Sequence, residues 1–110
     1  MSKAVIICGG EIGNYSYIRR FFKNAGYIIC ADGGARHARK MNVIPHVLLG
    51  DFDSISDEDY DFFKSKADVK VYPVEKDKTD SEIAVDIALE KGCRQITILG
   101  GWGTRLDHSI

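Results

Sequence analysis

Six aspartates offer the chemistry most open to reading: Asp32, Asp51, Asp53, Asp77, Asp80 and Asp107, each lying past an apolar run of strand length. Gly50-Asp51-Phe52-Asp53-Ser54 sets two carboxylates at alternate positions, which puts them on one side of a strand exit. Carboxylates that converge repel each other and lose hydration unless a cation sits among them. Hard oxygen donors of this kind suit Mg²⁺ better than zinc or copper. Mg²⁺ keeps several waters and shares its shell with substrate phosphates, so the pattern points to a metal–phosphate site. Asp51, Asp53, Asp80 and Asp107 are its candidate ligands. Aspartate also favours turns and helix starts on structural grounds. By itself, Asp32 in Ala-Asp-Gly-Gly reads as a turn residue, and Asp80 as a complement to a helix dipole.

Glycines supply the other half of such a site. Gly9, Gly10 and Gly13 follow the first apolar run, Gly33 and Gly34 the second, and Gly100, Gly101 and Gly103 the fifth. Backbone can approach a ligand closely in loops of this composition. Arg105, after the third loop, is suited to paired hydrogen bonds with phosphate oxygens. The chain has no G-x-G-x-x-G run after its first strand and no G-x-x-x-x-G-K-[ST] run, so neither a dinucleotide fingerprint nor a P-loop is available. His108 is a candidate base or phosphate-orienting group, though a histidine beside an aspartate at a helix start is more often structural. His37 and His46 have no comparable setting. Trp102 reads as a partly buried loop aromatic, and Tyr15, Tyr17, Phe21 and Phe22 as helix core.

The elements that must position these residues alternate. Strand-like runs fall at Ala4 to Cys8, Tyr27 to Ala31, His46 to Leu49, Val69 to Tyr72 and Gln95 to Leu99. Segments of helical period lie near Tyr15 to Asn24, Ala35 to Lys40, Asp57 to Lys66 and Asp80 to Lys91, with Gly26 and Gly92 at helix-stop positions. Thr79 with Glu82 has capping-box spacing, and Ser56 with Asp59 resembles it. Alternation of this kind builds βαβ units around an open, mostly parallel, Rossmann-like α/β sheet flanked by helices, whose strands are buried on both faces. In such a sheet the strand carboxyl ends share one side, where ligands bind near the point at which strand order reverses. The aspartates and glycine loops fall on that side. After Asp107 and His108 the pattern opens another helix that Ile110 cuts short, so residues 1–110 read as one domain continuing in a longer protein.

Composition narrows the partners. The 110 residues are 45% hydrophobic and 28% charged, an ordinary globular balance. A formal net charge of -1 lacks the basic excess that phosphate-driven nucleic-acid or anionic-membrane binding requires. The apolar run from Ala4 to Cys8 is too short for a signal core or a membrane span, so the reading is a cytoplasmic protein. Cys8, Cys30 and Cys93 are widely spaced and read as reduced, mostly buried thiols.

Taken together, Ala-Asp-Gly-Gly at 31–34, Leu-Gly-Asp-Phe-Asp-Ser at 49–54, Lys-Asp-Lys-Thr-Asp-Ser-Glu at 76–82 and Arg-Leu-Asp-His at 105–108 resemble the thiamin pyrophosphokinase family in order and spacing. The resemblance implies that family's α/β catalytic domain without the β-sandwich domain that follows it. It implies ATP and thiamin as substrates, Mg²⁺ as cofactor, and a homodimer when full length. It carries metal and catalytic roles to Asp51, Asp53, Asp80 and Asp107, with Arg105 on phosphate. Asp32, Gly33, Gly34, Ser54, Asp77, Thr79 and His108 are its further nucleotide-side candidates. One departure is Thr104 after Gly103, where the family commonly has a second glycine.

Two other classes compete. Asp51-Phe-Asp53 mimics the D-x-D pair of haloacid-dehalogenase-like phosphatases, but those enzymes place it after their first core strand, and here two βαβ-like units precede it. A module that binds MgATP without turnover is the non-enzyme alternative.

Overall fold

The computed structural model describes residues 3–10, 13, 15–31, 33–49, 57–65, 71–72, 80–100 and 106–109, with backbone alone at 59–60, 64, 71–72, 80–81 and 106–109. The elements are β1 (Lys3–Ile7), α1 (Tyr15–Ile18) running into a 3₁₀ turn (Arg19–Phe22), β2 (Tyr27–Ala31), α2 (Gly34–Met41), β3 (Val47–Leu49), α3 (Asp57–Lys64), β4 (Val71–Tyr72), α4 (Asp80–Glu90), β5 (Gln95–Leu99) and β6 (Leu106–Ser109). They form one six-stranded sheet in the order β4-β3-β2-β1-β5-β6. β1 to β5 pair in parallel and β6 pairs antiparallel to β5. The α/β expectation therefore holds, with an antiparallel edge.

Why the central strands are nearly continuous in hydrophobicity follows from their two covers. Ala4, Ile6, Tyr27, Ile29, Val47, Leu49, Ile96 and Ile98 share one face with Ala84, Ile87 and Ala88 of α4, whose spacing is that of a single helix stripe. Val5, Ile7, Ile28, Cys30, Leu48 and Leu99 alternate onto the other face, under Ile18, Ala35, Ala38, Met41 and Phe63 from α1, α2 and α3. Crossovers of one hand that step one way along a sheet lay their helices on one face, and a step the other way uses the opposite face. From β1 to β4 the chain steps one way; α4 carries it back past β1 to β5. The strand order thus reverses at β1, with β2 on one side and β5 on the other.

The three cysteines are buried thiols, as the sequence suggests. Burial, with Cys8 nearby, pushes the Cys30 thiol far above its usual range, and burial raises Cys93 as well. Neither is a ready nucleophile.

Three local expectations need correction. The first helix stops at Ile18 and tightens into the 3₁₀ turn, where Ala25 N–H reaches the Phe22 carbonyl at 3.2 Å. Of its aromatics, Tyr15, Phe21 and Phe22 pack against the core, but Tyr17 is 50% exposed with its ring edge-on to Phe21. No helix opens at Asp107: 106–109 is strand, with Asp107 in register with Thr97 and His108 with Ile96. The open edge of β5 offers a row of backbone partners, which the segment takes up as a strand.

α2 ends on Asn42 in the left-handed conformation (φ 57°), with Asn42 N–H bonded to the Arg39 carbonyl and Val43 N–H to that of Ala38. α4 ends the same way on Gly92 (φ 83°), as expected. At the start of α2, Gly34 lies so close to β1 that a Cβ would overlap the Ile7 carbonyl, whereas one on Gly13 would meet nothing within 4 Å. Gly34→Ala is therefore expected to lower stability by roughly 3 kcal/mol or more, and Gly13→Ala to change it by less than about 0.5 kcal/mol. Urea denaturation of the two variants checks the contrast.

Candidate functional site

The carboxyl ends of β1 and β5, where strand order reverses, meet in a junction made of backbone. Cys8 N–H donates to the Leu99 carbonyl at 2.7 Å and Gly10 N–H to the Gly100 carbonyl at 2.8 Å. A Cβ on Gly10 would overlap that same carbonyl, and one on Gly100, which has φ 73°, would lie 2.6 Å from the Cys8 carbonyl oxygen. On the other side, a Cβ on Gly9 would come within 2.9 Å of the Gly33 nitrogen. Three glycine loops, after β1, β2 and β5, thus converge at one place on the sheet edge. Sequence spacing anticipated the loops but not their mutual contact.

Gly33 caps α2 without a side chain to bond the first-turn N–H groups. A helix start whose N-cap residue has no side chain, beside glycine-lined backbone, is a suitable seat for an anion such as phosphate.

Two α2 side chains hold the first loop from behind. Arg36 Nη2 donates to the Gly9 carbonyl at 2.6 Å, and His37 Nε2 lies 2.7 Å from the Gly10 carbonyl oxygen. A carbonyl only accepts, so Nε2 carries the proton. Nδ1, 2.6 Å from the Tyr15 hydroxyl, then accepts, and Tyr15 donates. Both ring nitrogens of this buried side chain, 4% exposed, are satisfied by neutral imidazole. Desolvation lowers the His37 pKa, Arg36 and Lys40 add to the fall, and the Gly10 hydrogen bond partly opposes it.

His37 was passed over in the sequence, yet a signal was there. Gly34, Ala38 and Met41 mark the buried stripe of α2, and His37 sits within it. A polar side chain in an apolar stripe needs partners, and those partners prove to be the glycine loop and Tyr15. His46 is different: its Nδ1 accepts from Ile28 N–H at 3.0 Å and its ring stacks on Tyr27, which ties β2 to the entry of β3.

Of the sequence candidates, Gly33 and Gly34 lie in the junction. Asp80 opens α4, and Asp107 and His108 lie in β6, where the Thr97 register puts Asp107 beside the middle of β5 rather than past its end. Asp32, Asp51, Asp53, Ser54, Asp77, Thr79 and Arg105 are outside the described residues, as is Trp102. Among the described residues, no three His, Cys, Asp or Glu gather to hold a metal, and no helix is long and apolar enough to cross a membrane.

Comparison with known proteins decides the family. The model of the thiamin pyrophosphokinase catalytic domain matches residues 18–110. The chain belongs to that family. Similar proteins include the thiamine pyrophosphokinase of Bacillus subtilis (strain 168), 40% identical over 83 residues, which make up 74% of this chain and 39% of that protein. Among solved structures, thiamine pyrophosphokinase from Bacillus subtilis superposes with a TM-score of 0.78 at 31% identity, covering 94% of this chain and 49% of its own. Thiamin pyrophosphokinase from Geobacillus thermodenitrificans gives 0.72 at 30% identity, covering 96% and 49%. The chain spans less than half the length of these relatives.

The depressed His37 pKa sets a sign for pH dependence. The unfolded chain binds the proton near pH 6.5 and the folded chain only lower, so the contribution of neutral His37 is complete above about 6.5. It is lost as pH falls toward the folded value. Denaturation midpoints of wild type and His37→Gln, compared at pH 7.5 and pH 5.5, should show the wild type losing more stability on acidification.

Proposed function

We propose that the full-length protein is a Mg²⁺-dependent thiamin diphosphokinase: the thiamin hydroxyl attacks the β-phosphorus of ATP, AMP leaves, and the diphosphate moves as a unit. The observation that carries this reading is the glycine junction at the point of strand reversal, in a chain of this family. An open parallel sheet binds ligands there, and backbone without Cβ atoms lets phosphates come close.

On this reading the start of α2 and the loops of Gly9, Gly10, Gly33 and Gly100 seat the phosphates, and Arg105 pairs with their oxygens. Asp32, Ser54, Asp77, Thr79 and His108 serve on the nucleotide side. Asp51, Asp53, Asp80 and Asp107 hold the metal; their hard oxygen donors fit Mg²⁺, and Asp80 begins a helix that leaves the same edge of the sheet. When bound, the metal neutralises phosphate charge and keeps the reacting oxygens in line. Asp80 and Asp107 are the candidates for accepting the hydroxyl proton. The remaining task is positioning, which phosphoryl chemistry rewards more than covalent help from the protein. We place the enzyme in the cytoplasm as a homodimer, with the thiamin pocket completed outside these 110 residues.

Phosphorus NMR of the full-length protein with ATP, Mg²⁺ and thiamin should show AMP and thiamin diphosphate accumulating together; ADP in place of AMP would sink the proposal. Asp51→Asn and Asp53→Asn should each cost about 10²-fold or more in kcat, since each removes charge stabilisation at the reacting phosphates. Wild-type turnover by both at limiting Mg²⁺ would remove them from the metal site.

A further inference from the structure

We propose that His37, oriented by Tyr15, is a positioning residue for the nucleotide: it holds the loop after β1 against α2, so that the glycine junction keeps the spacing the ATP phosphates need. This inference rests on the reading that the junction is the nucleotide site.

The argument begins with one peptide unit. The Gly9 carbonyl accepts from Arg36 on α2, while the N–H of the same peptide, that of Gly10, donates to the Gly100 carbonyl after β5. In a trans peptide these two groups point opposite ways, so this single unit spans from α2 to the far side of the crevice. The next carbonyl, that of Gly10, is taken by His37. Two consecutive carbonyls are therefore turned toward α2 by adjacent residues of that helix.

Glycines have no Cβ to restrict them, and Gly9-Gly10 would explore more backbone conformations than any other dipeptide. External ties must fix this loop. Arg36 is exposed and water competes for its bond, whereas His37 is buried and held at both nitrogens. Tyr15 sits at the start of α1, the helix that the loop leads into, so its hydroxyl links the end of the loop to the same imidazole. The ring also lies against Tyr15 with centroids 5.6 Å apart, which limits its rotation. One side chain thus bonds both the start of the loop, at Gly10, and the first residue of α1, Tyr15.

A loop that binds phosphates equally in the ground and transition states contributes to nucleotide affinity and little to the chemical step. His37→Phe keeps the ring volume and removes both hydrogen bonds. His37→Gln keeps a side-chain N–H able to reach the Gly10 carbonyl. Both variants are made in the full-length protein, and MgATP dissociation constants are measured by calorimetry beside steady-state AMP formation. We expect His37→Phe to raise the Kd and KM for MgATP roughly tenfold, the effect of losing about one well-made hydrogen bond, with the KM for thiamin unchanged and kcat within about threefold. His37→Gln should restore MgATP affinity to within about threefold of wild type. Tyr15→Phe should give a smaller rise that is not additive with His37→Phe.

If His37→Phe lowers only the melting temperature and leaves MgATP affinity unchanged, or if His37→Gln is as impaired as His37→Phe, the positioning role is overturned. A wild type that binds MgATP but forms no AMP refutes the diphosphokinase reading while the Kd series still decides His37. Absence of MgATP binding by wild type refutes both.

Discussion

The close approach of backbone to backbone at the carboxyl edge of β1 is the constraint on which the rest of this structure depends. Gly34 must lie against the Ile7 carbonyl for α2 to start where it does, and Gly10 and Gly100 must lie against each other for the loops after β1 and β5 to close. No side chain other than hydrogen fits at these contacts. A junction packed with side chains would hold these backbone segments apart.

Sheet topology makes that junction useful. Because α1, α2 and α3 cover one face and α4 the other, the crossover that leaves β1 and the one that enters β5 lie on opposite faces, so strand order reverses between these two strands, where an open parallel sheet binds ligands. Apolar burial on both faces stabilises the strands from which the loops depart; Ile6, Ile7, Ile29, Leu48 and Phe63 are all fully enclosed. The exposed Arg39–Glu58 pair between α2 and α3, at 3.4 Å, adds little by comparison.

Much of this was legible in the residues alone, for identifiable reasons. β2 and β5 fall on the runs read as strands because fully buried strands leave an unbroken apolar signal. α4 was readable from its stripe and from Gly92 at its end. The end of α2 was less so, since Asn42 takes the left-handed position where glycine is commoner. β6 was misread because its pairing is wholly non-local: nothing in Leu106–Ser109 announces an edge strand, and only the neighbouring β5 creates the demand for one. Tyr17 was misread because an aromatic at helical spacing reads as core until the short helix turns it outward.

The site divides along the same line. Its glycines were legible as glycines, since a residue type that permits close approach is visible in sequence. What each one approaches is set by the register of strands far apart in the chain. His37 shows the limit most clearly, because its partners Gly10 and Tyr15 lie 27 and 22 residues away. A buried imidazole is costly to desolvate and becomes tolerable only when both nitrogens are met, so its presence within an apolar stripe implies that the fold supplies two partners. That inference needs no alignment and no knowledge of the ligand. It turns an apparent flaw in the hydrophobic pattern into evidence of a constrained loop, and the constrained loop here stands at the point where an open parallel sheet binds what it acts upon.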